Sequence, residues 1–154
     1  MSEAQRLLGA KLPEGWPDCA PLLQSRLKQM EADTAYEPWS LRAMVLRANR
    51  VMVGHIGFHT KPGAGYLRPY SPAAVEFGFE VFPPFRRLGL AREASLALMH
   101  WATTVHGQRM FIVSIRPDNV SSQALAAQLG FVRIGSHIDE VDGVEDILEL
   151  RLDL

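Results

Sequence analysis

Residues 75–91 read VEFGFEVFPPFRRLGLA and form the most strongly patterned part of the sequence. The apolar, β-rich start predicts a strand over Ala74–Phe82, which the following proline pair must end because proline cannot donate to a strand ladder. After Gly89, apolar residues recur every three or four positions, and this spacing predicts a helix over about Leu90–His106 with one buried face. The segment is therefore predicted to be a strand, a short loop and a helix.

Further elements are predicted on both sides of this unit. Residues 60–72, with three prolines and two glycines, are predicted to be a loop. The order of hairpin strands, strand, helix, strand, helix and two closing strands indicates an α/β or α+β fold with a mixed sheet. Apolar periodicity and turn residues predict helices over residues 21–32 and from a cap at Asp118 or Asn119 to about Leu129, and strands over Leu41–Ala48, Val51–His59, Met110–Ile115, Phe131–His137 and Val144–Leu152.

Composition excludes several classes of protein. The length of 154 residues suits one domain, residues 1–154. With 16 basic and 17 acidic residues, the chain lacks the basic excess of a nucleic-acid binder, so we expect no nucleic-acid partner. The single cysteine, Cys19, excludes an internal disulfide and a cysteine-based zinc site. No apolar run is long enough for a transmembrane helix and the start lacks a secretory pattern, so we expect a cytoplasmic protein without a membrane partner.

The loop between the predicted strand and helix carries the strongest chemical signal. Gly89 lets backbone amides approach a ligand without a Cβ in the way, and a helix that starts here points free N–H groups outward. Arg86 and Arg87 add positive charge, so the loop favours a phosphate or pyrophosphate. It matches neither a P-loop nor the Gly-x-Gly-x-x-Gly fingerprint. Taken alone, it is equally compatible with a plain connection that holds two solvated arginines.

Two spaced motifs flank the predicted strand Met110–Ile115. The first is an arginine, two residues, a glycine, one residue and an alanine, at Arg86, Gly89 and Ala91. The second follows the strand and consists of Asn119, Ser122, Leu125, Gly130 and Phe131. Together they resemble the GNAT superfamily of N-acetyltransferases, in particular the branch that includes ribosomal-protein and small-molecule N-acetyltransferases. The resemblance covers about 100 residues, from the Val51 strand to the end of the sequence.

The resemblance implies acetyl-CoA as co-substrate and a mostly antiparallel sheet flanked by helices, in which the family's fourth and fifth strands splay apart. The cofactor arm would lie in that gap, bonded to backbone groups at about Glu80–Phe82, with an N–H near Val81 stabilising the oxyanion. Asn119 would lie near the arm and also suits a helix cap. The predicted cofactor contacts are Val81, Phe82, Arg86, Arg87, Leu88, Gly89, Leu90, Ala91, Asn119 and Ser122.

Acetyl transfer to an amine needs a group that removes a proton, because an alkylamine with a pKa of about 10.4 is protonated at neutral pH. Glu76 matches the place of the base glutamate in the histone-acetylating branch, Glu80 lies on the same strand face, and a reaction without a dedicated base stays open. The apolar strand is expected to raise the pKa of both carboxyls. Many family members protonate the leaving thiolate with a tyrosine that is replaced here by Ala126. Ser122 or water would then act instead, or the thiolate would leave unprotonated.

The acceptor side is less defined by the sequence. Tyr66 and Tyr70 lie in the loop that could reach over the site. His55 and His59 share a strand face but lack a third ligand, so they are expected to be core or surface histidines, and no metal site is predicted. The closing hairpin forms either a solvated turn or a surface that attracts a cationic amine. Its acidic residues are Asp139, Glu140, Asp142, Glu145 and Asp146.

We therefore expect an N-acetyltransferase in which a primary amine attacks acetyl-CoA directly in a ternary complex. The acceptor would be an amine-bearing small molecule, a protein N-terminus or a lysine. Two other classes stay open: a non-catalytic acyl-CoA-binding or regulatory domain, and a phosphate-binding module for another nucleotide. A homodimer also stays open, because dimers are frequent in families of this kind.

Overall fold

The computed structural model describes residues 1–14 and 19–153, and most of its elements coincide with the predicted ones. One helix, α1, was not predicted; its start is capped by a reciprocal pair of hydrogen bonds between Ser2 and Gln5. The helices are α1 (Glu3–Leu8), α2 (Ala20–Ala32), α3 (Leu90–His106) and α4 (Val120–Leu129), and the strands are β1 (Arg42–Val45), β2 (Met52–Phe58), β3 (Val75–Val81), β4 (Met110–Ile115), β5 (Val132–Asp139) and β6 (Gly143–Arg151).

The six strands form one sheet in the order β1-β2-β3-β4-β6-β5. Its paired neighbours are antiparallel except β3 and β4, which run parallel. The parallel ladder consists of two pairs, Val75 with Phe111 and Glu76 with Ile112, and then stops. Since β3 stays paired with β2 as far as Val81, β3 follows β2 and leaves β4. We call the space between residues 77–81 and 113–115 the β3–β4 gap; it confirms the splay expected in a mixed, mostly antiparallel sheet.

The two faces of β3 have different surroundings. Val75 and Phe77 point into the main core, where the Phe77 ring lies 6.0 Å from that of Phe58 and 6.1 Å from that of Phe131. Helix α3 buries Leu98, Met99 and Ala102 against this same core. Because side chains alternate along a strand, Glu76, Gly78 and Glu80 face the other side of the sheet. The core therefore anchors β3 from one face and leaves its polar residues on the opposite one.

The loop over residues 60–72 covers part of that opposite face. A turn of 3₁₀ helix at Gly65–Leu67 buries Leu67 in a second apolar cluster with Ala74, Ile112 and Ile147. Ile112 is the residue paired with Glu76, so the loop packs beside the point where β3 and β4 separate. The loop thus brings its own side chains to the end of the gap.

Strand β1 is shorter than predicted. The prediction was Leu41–Ala48, but Leu46 and Arg50 already belong to a turn, in which the Arg50 N–H donates to the Leu46 carbonyl. Arg50 takes a left-handed φ of 59° in this turn between β1 and β2. In the part of the chain that the structure describes, no helix is both long and apolar enough to span a bilayer.

Candidate active site

The backbone of β3 offers free hydrogen-bonding groups to the β3–β4 gap. The Glu76 carbonyl accepts from the His59 N–H, and the Phe82 N–H donates to the Val53 carbonyl, so even-numbered residues of this segment bond to β2. The alternating pattern therefore turns the amides and carbonyls of Phe79 and Val81 toward the gap. An extended ligand could pair with them as an added strand.

This register corrects part of the sequence prediction. The cofactor arm was expected to bond to the backbone over Glu80–Phe82, but Glu80 and Phe82 direct their backbone groups to β2. The Phe82 side chain is buried as well. Val81 directs its backbone groups toward the gap, and so does Phe79, which the sequence analysis did not single out. The alternating direction of backbone groups along a strand was the signal that could have identified Phe79.

A cavity of about 640 Å³ lies at the outer end of the gap, between the end of β3 and the first turns of α3 and α4. We call it the arginine cleft, because Arg86, Arg87 and Arg92 all line it. Phe82 and Leu88 do not line it, and Leu88 is exposed. Of the ten residues predicted to bind the cofactor, the structure brings together Val81, Arg86, Arg87, Gly89, Leu90, Ala91, Asn119 and Ser122 in this cleft.

The start of α3 is shaped to hold an anion. Gly89 caps the helix with a φ of 76°, and beyond its chain neighbours no described residue comes within 4 Å of the position that a Cβ would occupy there. The amides of the first helical turn lack partners within the helix, and they lie among the three arginines. Arg86 Nε donates to the Val81 carbonyl at 2.8 Å, which ties the loop to the end of β3. An open glycine, free amides and arginines together fit a pyrophosphate group.

The second motif forms the opposite wall of the cleft. Asn119 caps α4, and its side-chain oxygen accepts from the Ser122 N–H at 3.3 Å. Ser122 and Leu125 line the cleft from the same helix. Ala126, which stands where many GNAT members carry a tyrosine, is buried. The structure thus shows the cap for Asn119 and leaves Ser122 within reach of a ligand.

A group of polar side chains surrounds Glu76 at the inner end of the gap. Tyr66 donates its hydroxyl hydrogen to Glu76 Oε2 at 2.6 Å, and His59 Nδ1 lies 3.5 Å from the same oxygen. Ser114, on the β4 wall, is also hydrogen-bonded to Glu76. We call Glu76, His59, Tyr66 and Ser114 the Glu76 cluster. Tyr66 also lines a cavity of about 390 Å³ between α2 and residues 60–66, so the cluster borders a second space.

The expected rise in the pKa of Glu76 is wrong. Burial does raise it, but the hydrogen bond and charge of His59, with hydrogen bonds from Ser114 and Tyr66, outweigh burial and lower the pKa to about 2. Burial, together with the negative charge of Glu76, raises the pKa of Tyr66, which therefore stays protonated as a donor. Glu76 is thus a firmly ionised carboxylate.

The other predicted carboxylates occupy two further positions. Glu80 lines the arginine cleft, and its Oε2 lies 3.3 Å from His55 Nε2. In the closing hairpin, Glu145 lies 3.4 Å from His137, and Asp139 accepts two turn amides. The negative charges of Asp139 and Glu145 both act on Glu76. The charges of the hairpin and of Glu76 therefore interact.

The hairpin carboxylates affect one another. Burial, with the charges of Asp139, Asp142 and Glu76, raises the pKa of Glu145, although His137 opposes the rise. The potential metal-ligating atoms of His137, Asp139 and Glu145 lie within 4.8 Å of one another, although the sequence predicted no metal site. Asp146 pairs instead with Arg133 at 2.8 Å. A bound cation would relieve the repulsion among these carboxylates.

Comparison with known proteins identifies the class to which this arrangement belongs. The family model of the acetyltransferase (GNAT) domain matches residues 3–132. The chain therefore belongs to the GNAT acetyltransferase family, and the match extends further toward the N-terminus than the motifs indicated. No curated protein is significantly similar to the chain in sequence.

Solved structures share the fold at low sequence identity. Ribosomal-protein-S5-alanine acetyltransferase from Vibrio fischeri has a TM-score of 0.65 and 13% identity, over 97% of this chain and 82% of that chain. The Salmonella typhimurium protein yncA, solved with its cofactor acetyl-CoA, has a TM-score of 0.63 and 21% identity, over 84% and 73%. A spermidine N-acetyltransferase variant from Vibrio cholerae has a TM-score of 0.64 and 14% identity, over 85% and 74%. These similarities establish the common fold.

The lowered pKa of Glu76 predicts a specific dependence of stability on pH. Its ionised form stabilises the fold above pH 4.5, and this contribution, about 3 kcal/mol at most, is lost as the pH falls toward 2. Urea unfolding of the wild type and of Glu76→Gln between pH 6 and pH 2.5 measures it. Other carboxyls titrate in both proteins, so the difference between the two curves isolates Glu76. Parallel curves would contradict the assignment.

Proposed function

We propose that the protein is an N-acetyltransferase that transfers the acetyl group of acetyl-CoA to a primary amine by direct attack in a ternary complex. The observation that carries this proposal is the β3–β4 gap, with the arginine cleft at one end and the Glu76 cluster at the other. Family membership, which the match over residues 3–132 establishes, gives the reaction class. The bound acetyl-CoA of yncA supports the choice of donor. We propose further that residues 1–154 form one such catalytic domain.

The cofactor contacts follow from the fit described for the cleft. Arg86, Arg87 and the first amides of α3 would hold the pyrophosphate, with Arg92 as an additional cation. The backbone amide and carbonyl of Phe79 and the amide of Val81 would pair with the pantetheine arm, and an amide of β3 near Val81 would stabilise the oxyanion. Acetyl-CoA, when bound, supplies the acetyl group as a thioester. The protein aligns it along β3.

The catalytic groups would act from the two walls of the gap. The Glu76 cluster would take the proton from the attacking amine, and Glu80 is the alternative carboxylate. Ser122, which lines the cleft, would help to protonate the leaving thiolate. Cys19 caps the start of α2 and does not line the cleft, so no acyl-enzyme is proposed.

The acceptor class follows from charge. Glu76 lies at the inner end of the gap, and its charge interacts with those of Asp139 and Glu145, a combination that favours a cationic amine. Two structural neighbours are named for acceptors of this kind, a ribosomal-protein alanine and spermidine. We propose an acceptor that carries an ammonium group, whether a small molecule, a protein N-terminus or a lysine.

One observation supports a second candidate function. Ala126 stands where many members of this family carry the tyrosine that protonates the thiolate. Ala126 is also buried. A domain that binds acyl-CoA without turnover would not need that group. Such a domain would still use the arginine cleft, so cofactor binding alone does not separate the two functions.

The first test of the proposed function measures ligand binding and turnover together. Acetyl-CoA at about 100 times its Kd adds about 2.7 kcal/mol of stability, which raises the Tm of a domain of this size by several degrees. Differential scanning fluorimetry with NAD and ATP as controls should show a shift with coenzyme A ligands alone. Release of free thiol with an amine panel should then detect turnover. A shift without thiol release would favour the binding domain, and an equal shift with ATP would favour another nucleotide.

A second prediction concerns the arginine cleft. Arg86→Ala removes a guanidinium that faces the proposed pyrophosphate, so the Kd for acetyl-CoA should rise about 10-fold or more. Calorimetric titration measures the Kd directly. Arg109→Ala is the matched control, because Arg109 precedes β4 at the other end of the strand and bonds to the Asp153 carbonyl. An unchanged Kd in Arg86→Ala would contradict the pyrophosphate site.

A third prediction concerns the acceptor. Asp139→Asn and Glu145→Gln should each raise the KM for a dicationic amine about 3- to 10-fold, because each removes one nearby negative charge. The Kd for acetyl-CoA should not change, and the effect should shrink at high salt. Glu3→Gln, which removes one charge from α1, serves as the control. Equal KM values in all variants would refute the proposed acceptor surface.

A further inference from the structure

Strands β2 and β3 carry two glutamate–histidine pairs on the same face of the sheet. They are arranged symmetrically about a pair of glycines, Gly57 and Gly78, that lie opposite each other. The paired positions are His55 with Glu80 on one side and His59 with Glu76 on the other. The two histidines are four residues apart on β2 and the segment that continues it. The two glutamates are likewise four residues apart on β3. The two pairs therefore share chemistry but differ in their surroundings.

The imidazole of His59 bridges Glu76 and Gly78. Nδ1 lies 3.5 Å from Glu76 Oε2. Nε2 lies over Gly78, only 2.8 Å from the position that a Cβ would occupy there. Any side chain at Gly78 would displace the ring, so the glycine makes room for it. The ring is thereby held with one nitrogen on the carboxylate and the other above β3.

The position of Nε2 is where an acceptor amine would arrive. Gly78 is the second residue after Glu76, at which the ladder between β3 and β4 ends, so Nε2 overlies the opening of the gap. The His59 side chain is 37% exposed. Among the described residues, none forms a hydrogen bond with Nε2. A nitrogen without a described hydrogen-bond partner thus lies over β3, beside the start of the gap.

The other pair lacks this access. Only 10% of the His55 side chain is exposed, and both of its ring nitrogens are shielded from solvent. Its Nε2 faces Glu80. His55 therefore has no nitrogen to offer to a substrate, and the comparison singles out His59.

The carboxylate of Glu76 is poorly suited to take the proton itself. Tyr66 and Ser114 both hydrogen-bond to it in addition to His59, so proton uptake would break established contacts. An imidazole, whose ordinary pKa is about 6.5, exchanges protons readily near neutral pH. A fixed carboxylate beside Nδ1 would stabilise the imidazolium once Nε2 is protonated.

We propose that His59 Nε2 accepts the proton of the substrate ammonium, and that Glu76 is a positioning residue that orients the ring and stabilises its charge. This assignment rests on the proposed N-acetyltransferase function. The ammonium gives one proton to Nε2, and the freed lone pair forms the C–N bond. The C–S bond then breaks, and a second proton passes from nitrogen to the thiolate. His59 returns its proton to water, so charge and protons balance.

Several charged or titratable groups surround His59 and influence how the activity depends on pH. On α2, Arg26 donates to the His59 carbonyl at 3.4 Å. From the loop come Tyr66 and Lys61, the latter paired with Asp33 at 2.6 Å. From β3 comes Glu76, on which the charges of Asp139 and Glu145 also act. Among these groups, the carboxylate of Glu76 lies against the imidazole ring of His59.

The experiment compares His59→Ala with the wild type over pH 5.5 to 9. We expect kcat to fall about 10²- to 10³-fold with the Kd for acetyl-CoA nearly unchanged, while the Tm falls because Glu76 loses one of its partners. Any rise of kcat with pH that depends on proton uptake by His59 should disappear. Added imidazole should restore part of the activity, which a merely structural role would not allow. His100→Ala, an exposed histidine on α3, is the control.

Two further measurements separate His59 from Glu76. An amine whose pKa lies below the assay pH needs no base before it attacks, so His59→Ala should lose much less activity toward it. If Glu76 acts through His59, the double variant His59→Ala, Glu76→Gln should be no slower than His59→Ala, within about 3-fold. Additive losses, or a His59→Ala enzyme with normal kcat and pH profile, would overturn the assignment.

The controls distinguish this failure from that of the proposed function. A wild type that releases thiol with an amine, together with a His59→Ala enzyme of unchanged kcat, overturns only the role of His59. A wild type that releases no thiol with any amine overturns the proposed function and this assignment with it. If His59→Ala lowers the Tm, the same kinetic measurements are made on His59→Gln, which keeps a polar side chain of similar size.

Discussion

The parallel ladder between β3 and β4 ends at Glu76 and Ile112, and the functional geometry depends on this ending. Because β3 remains bonded to β2 as far as Val81, its other edge turns amides and carbonyls toward the gap, and of these the Val81 carbonyl accepts from Arg86. Unpaired backbone inside a sheet is costly unless a ligand or water satisfies it. The core holds the split open, since Phe77 packs against Phe58 and Phe131 on one face while the loop residue Leu67 covers the other.

The buried carboxylate of Glu76 is the second constraint. A charge in this position is tolerated only with hydrogen bonds and opposite charge around it, and His59, Tyr66 and Ser114 provide them from three separate segments. Glu76 therefore fixes the loop over residues 60–72 and the end of β2 relative to β3. Stability and acceptor chemistry are consequently coupled at this residue, because the contacts that make its burial tolerable also orient the groups that face the amine.

Local pattern predicted much of the fold. Apolar periodicity and glycine stops located α3 and α4 to within a residue, and spaced motifs identified most of the arginine cleft. The predictions that were wrong concerned contacts between segments that are distant in sequence. The direction of each β3 backbone group follows from its register with β2, and this excluded Phe82 and added Phe79. The pKa of Glu76 depends on His59, Tyr66 and Ser114, which are distant in sequence, so strand composition alone predicted the wrong direction.

A net charge of -1 conceals a separation of charge that suits the proposed reaction. Arg86, Arg87 and Arg92 gather at the outer end of the gap, whereas Glu76 lies at its inner end and interacts with the charges of Asp139 and Glu145. An anionic cofactor and a cationic acceptor would thus be drawn to opposite ends of one channel, and each is repelled from the other's place. Both ends lie along β3, and between them the strand carries no side chain at Gly78. The ring of His59 lies over that point, at the boundary between the two fields.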